Sequence, residues 1–293
     1  MRALILRSSL LVILVASTAA AQRDTAFSWS KRLPDGARLT IKNINGPIDV
    51  RAATGDRVEV RAVVRPESRG SASDVTFDVR ERAPDDVEIC TVYRGNSDCD
   101  PDRSWNNTRV SVRYTIDLPK SMRLRALTGN GEISVTQTVA DVDAASGNGD
   151  VTIKESLGRV TASTGNGDVT ITSARGPVKA SSGNGRITAS TSLGPVEAST
   201  GNGDIDVTMA KLPADQGSMT FTTGSGSVRV SLPADFNGEI DANTGNGSID
   251  TGDFEIRVQG RLSASRLRGT IGTGNGPLIK LRSGNGPLAL RKS

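Results

Sequence analysis

The chain contains no histidine. Ser-His-Asp and Cys-His catalysis, imidazole proton shuttling and His-ligated zinc are therefore excluded, and any metal site would have to be built from oxygen alone. Aromatic residues make up 3% of the sequence, too few for the clustered rings of a typical sugar platform; Trp105 and Tyr93 form one local group, better read as a small hydrophobic cap. Beyond the N-terminus no apolar run is long enough to span a bilayer, and no segment has helical periodicity. Charge of either sign is nearly balanced, with 36 Lys and Arg against 32 Asp and Glu. The small basic excess is spread along the chain, and even the arginines between Arg257 and Arg268 are separated by apolar and Gly residues, so nucleic acid is not an expected partner.

The N-terminus has the layout of a secretory signal. Arg2 and Arg7 supply positive charge, Leu10 to Val15 is apolar, and Ala19-Ala20-Ala21 is a small-residue cleavage site. Cleavage is expected before Gln22, giving an exported mature chain, 22–293, without a transmembrane segment, in the periplasm or at the cell surface or outside it. A membrane anchor is disfavoured because the apolar run falls short of the roughly 20 residues a span needs. Cysteine occurs only as Cys90 and Cys99. In an exported chain these are expected to form one disulfide, pinning a short loop. That loop, Asp98-Cys99-Asp100-Pro101-Asp102, alternates carboxylates but fails the calcium-loop pattern, since Arg103 and Arg109 stand where Gly and Glu are needed. It reads as a solvated turn, as does the sequon Asn106-Asn107-Thr108.

Against these absences stands a repeat. Gly129-Asn130-Gly131 recurs as Gly147-Asn148-Gly149, Gly165-Asn166-Gly167, Gly183-Asn184-Gly185 and Gly201-Asn202-Gly203, in steps of 18 residues. Wider steps bring Gly224-Ser225-Gly226, Gly245-Asn246-Gly247, Gly274-Asn275-Gly276 and Gly284-Asn285-Gly286. Thr or Ser precedes every copy. After each turn comes an alternating stretch, such as Asp168-Val169-Thr170-Ile171; a second turn follows at Gly158, Gly176 and Gly194, then a second stretch with small inward residues, such as Val178 and Ala180. Period-two alternation makes both stretches strands with one buried face. One 18-residue unit cannot bury that face alone, so units must stack, valine over valine, into a solenoid. The glycines serve corners needing positive φ or close backbone approach; Asn is read as a residue tolerating the left-handed region, and stacked Asn and Thr or Ser side chains as able to form hydrogen-bonded ladders along the corner. An array of separate Asn-Gly hairpins is the alternative that the fixed step disfavours.

These rungs, the opening RLTIKNINGPIDVRAATGDRVEVRAVV and the segment YTIDLPKSMRLRALTGNGEISV resemble the bacterial β-strand-repeat domain of unknown function labelled putative adhesin, also called the toastrack domain. The resemblance covers roughly residues 27 to 290. It implies a β-helix-like fold and an envelope or surface location, and it brings no catalytic, cofactor or metal-binding residues.

The expected architecture is thus an all-β, single-domain β-solenoid over 22–293, with 65–117 a β insertion carrying the disulfide. A carboxylate column, Glu132, Asp150, Asp168 and Asp204, runs up one face, interrupted by Arg186 and continued by Ser227, Ser248, Pro277 and Pro287. It reads as a solvated face, so Asp168→Ser should be nearly neutral while Gly167→Val should destabilise. The expected function is that of a non-catalytic envelope protein, an adhesin or structural module that binds an envelope protein or glycan without a cofactor. End rungs present edges through which a homo-oligomer can form. Two other readings remain: an envelope-stress sensor or scaffold docking a membrane partner, and a polysaccharide-active β-helix enzyme using Asp150 and Asp168.

Overall fold

A computed structural model describes residues 26–67, 70–94, 110–138, 140–212, 217–259 and 263–293. Alternating apolar and polar residues make almost every segment extended, and the glycine corners set where each strand stops. The first strands are β1 (Ala26–Arg32), β2 (Arg38–Asn45), β3 (Ile48–Ala52), β4 (Arg57–Pro66), β5 (Val75–Ala83), β6 (Asp86–Tyr93) and β7 (Val110–Leu118). The regular coils follow as β8 (Arg123–Asn130), β9 (Ile133–Thr138), β10 (Val142–Asn148), β11 (Val151–Ser156), β12 (Val160–Asn166), β13 (Val169–Ala174), β14 (Val178–Asn184), β15 (Ile187–Thr191), β16 (Val196–Asn202) and β17 (Ile205–Met209). The chain ends with β18 (Met219–Ser225), β19 (Val228–Leu232), β20 (Gly238–Asn246), β21 (Ile249–Asp250), β22 (Ile256–Val258), β23 (Arg266–Ile271), β24 (Leu278–Asn285) and β25 (Leu288–Lys292).

These strands form two sheets. One has the order β1-β4-β7-β3-β9-β11-β13-β15-β17-β19-β25-β21; the other runs β22-β23-β20-β24-β18-β16-β14-β12-β10-β8-β2-β6-β5. Each of ten stacked coils gives one strand to each sheet, and successive coils pair in parallel. The protein is a β-solenoid. Its stacking order departs from chain order at both ends. The coil β6–β7, from the segment 65–117, lies outside the coil β2–β3 and carries the antiparallel strands β4 and β5. The C-terminal coil β24–β25 lies between the coils β18–β19 and β20–β21, both earlier in the chain.

Registry puts like over like. Val142, Val160, Val178 and Val196 align, as do Ala144, Ala162, Ala180 and Ala198, and all are buried. Facing them, Val151 stacks on Val169 and Ile153 on Ile171. Each fully buried Val or Ile contributes about 1.5–3 kcal/mol relative to exposure, and the alanines let the two walls approach. Phe221 fills the position above Ala198, and Met209 and Met219 are buried nearby. Aromatic residues cap the open ends of this core. Phe27 stacks on Phe77 at 4.6 Å, and Phe77 meets Tyr114 edge-on. At the opposite end Phe236 meets Phe254 edge-on, and the Lys292 ammonium lies 5.4 Å from the Phe254 ring.

The corner explains the fixed Thr or Ser. Except at Thr273, which is exposed and accepts from Asn237, these hydroxyls are buried and donate to the carbonyl of the last glycine in the neighbouring coil's corner: Ser146 to Gly131 at 2.8 Å, Ser182 to Gly167 at 2.9 Å. The same bond spans the out-of-order coils, from Ser283 to Gly226 and from Thr244 to Gly286. Asparagine amides form a ladder along the corner, each Nδ2 donating to the Oδ1 of the coil before: Asn148 to Asn130, Asn166 to Asn148, Asn184 to Asn166, Asn202 to Asn184. The ladder, and no left-handed backbone, is what selects Asn: among the described residues the non-glycine positions with positive φ are Gln137, Glu155 and Ser173. One repeat copy also plays a different part. Gly276-Pro277 sits at the opposite corner, where the Pro277 carbonyl accepts from Glu239 as the Pro177 carbonyl accepts from Val160.

Candidate functional site

The carboxylate column is a structural device. Asp150 Oδ1 accepts the backbone N–H of Asp168 at 2.8 Å, and Asp168 Oδ1 accepts that of Arg186 at 2.7 Å. Asp204 Oδ1 accepts both the N–H and the hydroxyl of Ser227 at 2.8 Å, and its other oxygen pairs with Arg186 at 3.2 Å. The N–H and hydroxyl of Ser227, followed by Arg186, hold the Asp204 carboxyl below the usual carboxylate range. Asp141 repeats the device at the other corner, accepting from the Arg159 N–H. The column read from sequence as a solvated face is exposed at Asp150 and Asp168, and its three aspartates are in addition clamps, each tying one coil to the next. Asp150 and Asp168 belong to neighbouring coils, and each spends an oxygen on the coil after it.

Outward positions of the two sheets differ in chemistry. On the sheet containing β9 to β17, five consecutive coils present Ser134 and Thr136, Thr152 and Lys154, Thr170 and Thr172, Thr188 and Ser190, Asp206 and Thr208. This hydroxyl-rich field is bordered by ion pairs, Arg113 with Asp49 at 2.6 Å on one side and Arg229 with Asp206 at 3.0 Å on the other. The opposite sheet alternates charge between coils, with Arg125 paired to Asp143 and Lys179 to Glu197, each at 3.3 Å. Further along, Asp241 is flanked by Arg268 and Arg282; its partial burial pushes its pKa up, but the two guanidiniums outweigh this and leave it lowered. Near the β5 edge Glu88 is buried beneath Lys42, Arg80 and Arg82. Burial again opposes ionisation, and Lys42 and Arg82 win, so its pKa is lowered.

Cys90 lies fully buried in β6; Cys99, the acidic turn around it, the sequon and Trp105 lie outside the described residues. Tyr93 is buried, its hydroxyl donating to the Val110 carbonyl, and burial raises its pKa. Tyr114 is raised in the same way and bonds to Thr91 at 2.7 Å. Among the described residues no three His, Cys, Asp or Glu side chains converge on a metal-sized site, and no helix is long and apolar enough to cross a membrane. Sequence reasoning missed the left-handed column Gln137, Glu155 and Ser173, whose residue types carry no turn signal. The clamp role of Asp168 was also missed, although the repeated Asp after Gly was visible.

The sequence profile described as Toastrack DUF4097 matches residues 37–286. Solved structures overlap this chain at low identity. A putative cell adhesion protein from Clostridium sporogenes covers 92% of this chain and 100% of its own, at 11% identity and a TM-score of 0.24. A putative adhesin from Bacteroides fragilis covers 92% of this chain and 97% of its own, at 13% identity and a TM-score of 0.46. A putative lipid binding protein from Parabacteroides distasonis covers 90% of this chain and 96% of its own, at 12% identity and a TM-score of 0.48. No curated protein shows significant similarity to the chain.

Proposed function

Since the chain belongs to the Toastrack DUF4097 family, we propose that it is an exported, non-catalytic module of the bacterial cell envelope that binds a glycan or an envelope protein through a flat outer face. Export rests on the signal-like N-terminus, and a Cys90–Cys99 disulfide is part of the same reading. The observation that carries binding is the hydroxyl field. No hydrogen bond within the described residues uses the side chains of Thr152, Thr170, Thr172 and Thr188, so their donors and acceptors are open to a ligand. Their regular spacing, ~4.8 Å between coils and ~6.7 Å along a strand, suits a repetitive polymer better than a small molecule.

Support for a non-catalytic role comes from the carboxylates. Asp150 and Asp168 each hold a backbone N–H group of the next coil, a structural task that occupies one oxygen of each carboxylate.

The test is binding of purified protein to peptidoglycan, envelope polysaccharides and envelope proteins, repeated with Thr170→Lys/Thr172→Glu. Loss of binding in that variant with unchanged thermal stability supports the reading. Uniform absence of binding, or binding indifferent to the substitutions, removes it. A single dominant protein captured by crosslinking in cells would favour the sensor or scaffold role instead.

A further inference from the structure

The two ends of the stack differ. At the C-terminal end the outermost strands are short, β21 with two residues and β22 with three. At the N-terminal end they are long, β1 with seven residues and β5 with nine, and among the described residues each pairs on one side only. Long open edges are templates for a further strand. The core beneath them is also incompletely closed: Phe27, Trp29, Phe77 and Val79 are only partly buried although all pack against it.

β1 and β5 face each other across this end in the same direction. Phe27 stacks on Phe77, and Lys31 Nζ lies 2.6 Å from Glu81 Oε2. Both contacts join a residue of β1 to the residue fifty positions later, so the midpoint of β1, Trp29, stands opposite the midpoint of β5, Val79.

We propose that two copies of this chain join end to end across a two-fold axis passing through Trp29 and Val79, so that β5 pairs antiparallel with its own copy and β1 does the same. One axis serves both pairings because the two midpoints face each other. Such an interface is isologous and closes on itself, as most homodimers do.

Charge selects the occupant and the register. Centred on Val79, the pairing sets Asp78 opposite Arg80 of the second copy, twice, on the outer face. Within one chain these two side chains already pair at 2.7 Å, and they would exchange partners. A slide of two residues places Asp78 against Asp78 or Arg80 against Arg80; a slide of one turns each face over. On β1 the same axis sets Phe27 opposite Lys31 and Ser28 opposite Ser30. The edge thus complements itself and rejects strands lacking its pattern, which makes a second copy the fitting occupant and an unrelated peptide a poor one.

The experiment uses the purified protein, with mass measured by light scattering across a concentration series. A mass of two chains is expected. Val79→Cys places a thiol beside its own copy, at a Cα separation of ~4.5–5.5 Å that a disulfide can span, and should become a covalent dimer under mild oxidation. Thr76→Cys, which faces Arg82, should not. Arg80→Asp should weaken the dimer by at least about tenfold, and so should Asp78→Arg, while an equimolar mixture of these two variants should recover a heterodimer. A mass of one chain at every concentration overturns the proposal. So does a dimer in which Val79→Cys and Thr76→Cys crosslink equally, since that dimer would use another surface. Circular dichroism of each variant separates lost pairing from lost fold.

Discussion

A Cβ placed on Gly167 would come within 2.5 Å of the Gly149 carbonyl oxygen in the coil before it. Gly167 also has φ +147°, where L-residues are strained. The two effects together should make Gly167→Val costly, about 3 kcal/mol or more. Gly36 separates them: its φ is +76°, but nothing lies within 4 Å of its added Cβ. Gly36→Ala should therefore cost only about 1 kcal/mol, from strain alone. Denaturant unfolding of the two variants measures both, and equal losses would refute the close-stacking account of the corner.

Clamping by Asp168 predicts a cost that a merely solvated carboxylate would not show. Asp168→Ala leaves the Arg186 N–H without its acceptor and should lose about 1 kcal/mol; Asp168→Asn keeps an acceptor oxygen and should lose less. The near-neutrality anticipated for Asp168→Ser is revised accordingly, because serine replaces an acceptor that spans the gap between coils with a shorter one. Thermal melts that rank Ala and Asn alike would speak against the clamp.

Ser173 has φ +57° and lies in register with Gln137 and Glu155 at the same bend of earlier coils. Left-handed backbone costs an L-residue ~1–2 kcal/mol, part of which glycine returns as chain entropy. Ser173→Gly should raise stability by about 0.5–1 kcal/mol. A fall in unfolding midpoint would mean that the hydroxyl is worth more than the strain.

Asp204 gives a pH dependence. Its folded pKa lies below the ordinary value of 3.8, held there by the N–H and hydroxyl of Ser227 and by Arg186. A depressed carboxyl pKa stabilises the fold above the unfolded pKa, and that contribution is lost as pH falls through the folded one. Melting temperatures of the native protein and Asp204→Asn should thus differ most above about pH 4 and converge in stronger acid. A gap that stays constant down to that acid range would rule out Asp204 as a contributor.

Much of this architecture is readable from residues alone because an exact repeat converts sequence distance into spatial distance. Val142, Val160, Val178 and Val196 are 18 apart in the chain and adjacent in the sheet. Where the step widens, the rule fails. Nothing in the spacing says that Asn285 should stand next to Asn246 rather than follow the chain order, because the choice is made by whole-coil packing. Glycine copies also look identical in sequence whether they turn at one corner or the other, as Gly274-Asn275-Gly276 demonstrates. Side-chain roles were harder still: an Asp after a glycine corner looks solvated until the neighbouring N–H is placed beside it.

The position of β24–β25 has a consequence for biogenesis. A growing solenoid could in principle lay down each turn on the one already formed while the polypeptide emerges. Here a segment that emerges after both of its neighbours must slot between them, so completion of this end waits for β24–β25. Deleting that segment would leave a vacancy beneath the last coil, β20–β21, instead of simply shortening the rod.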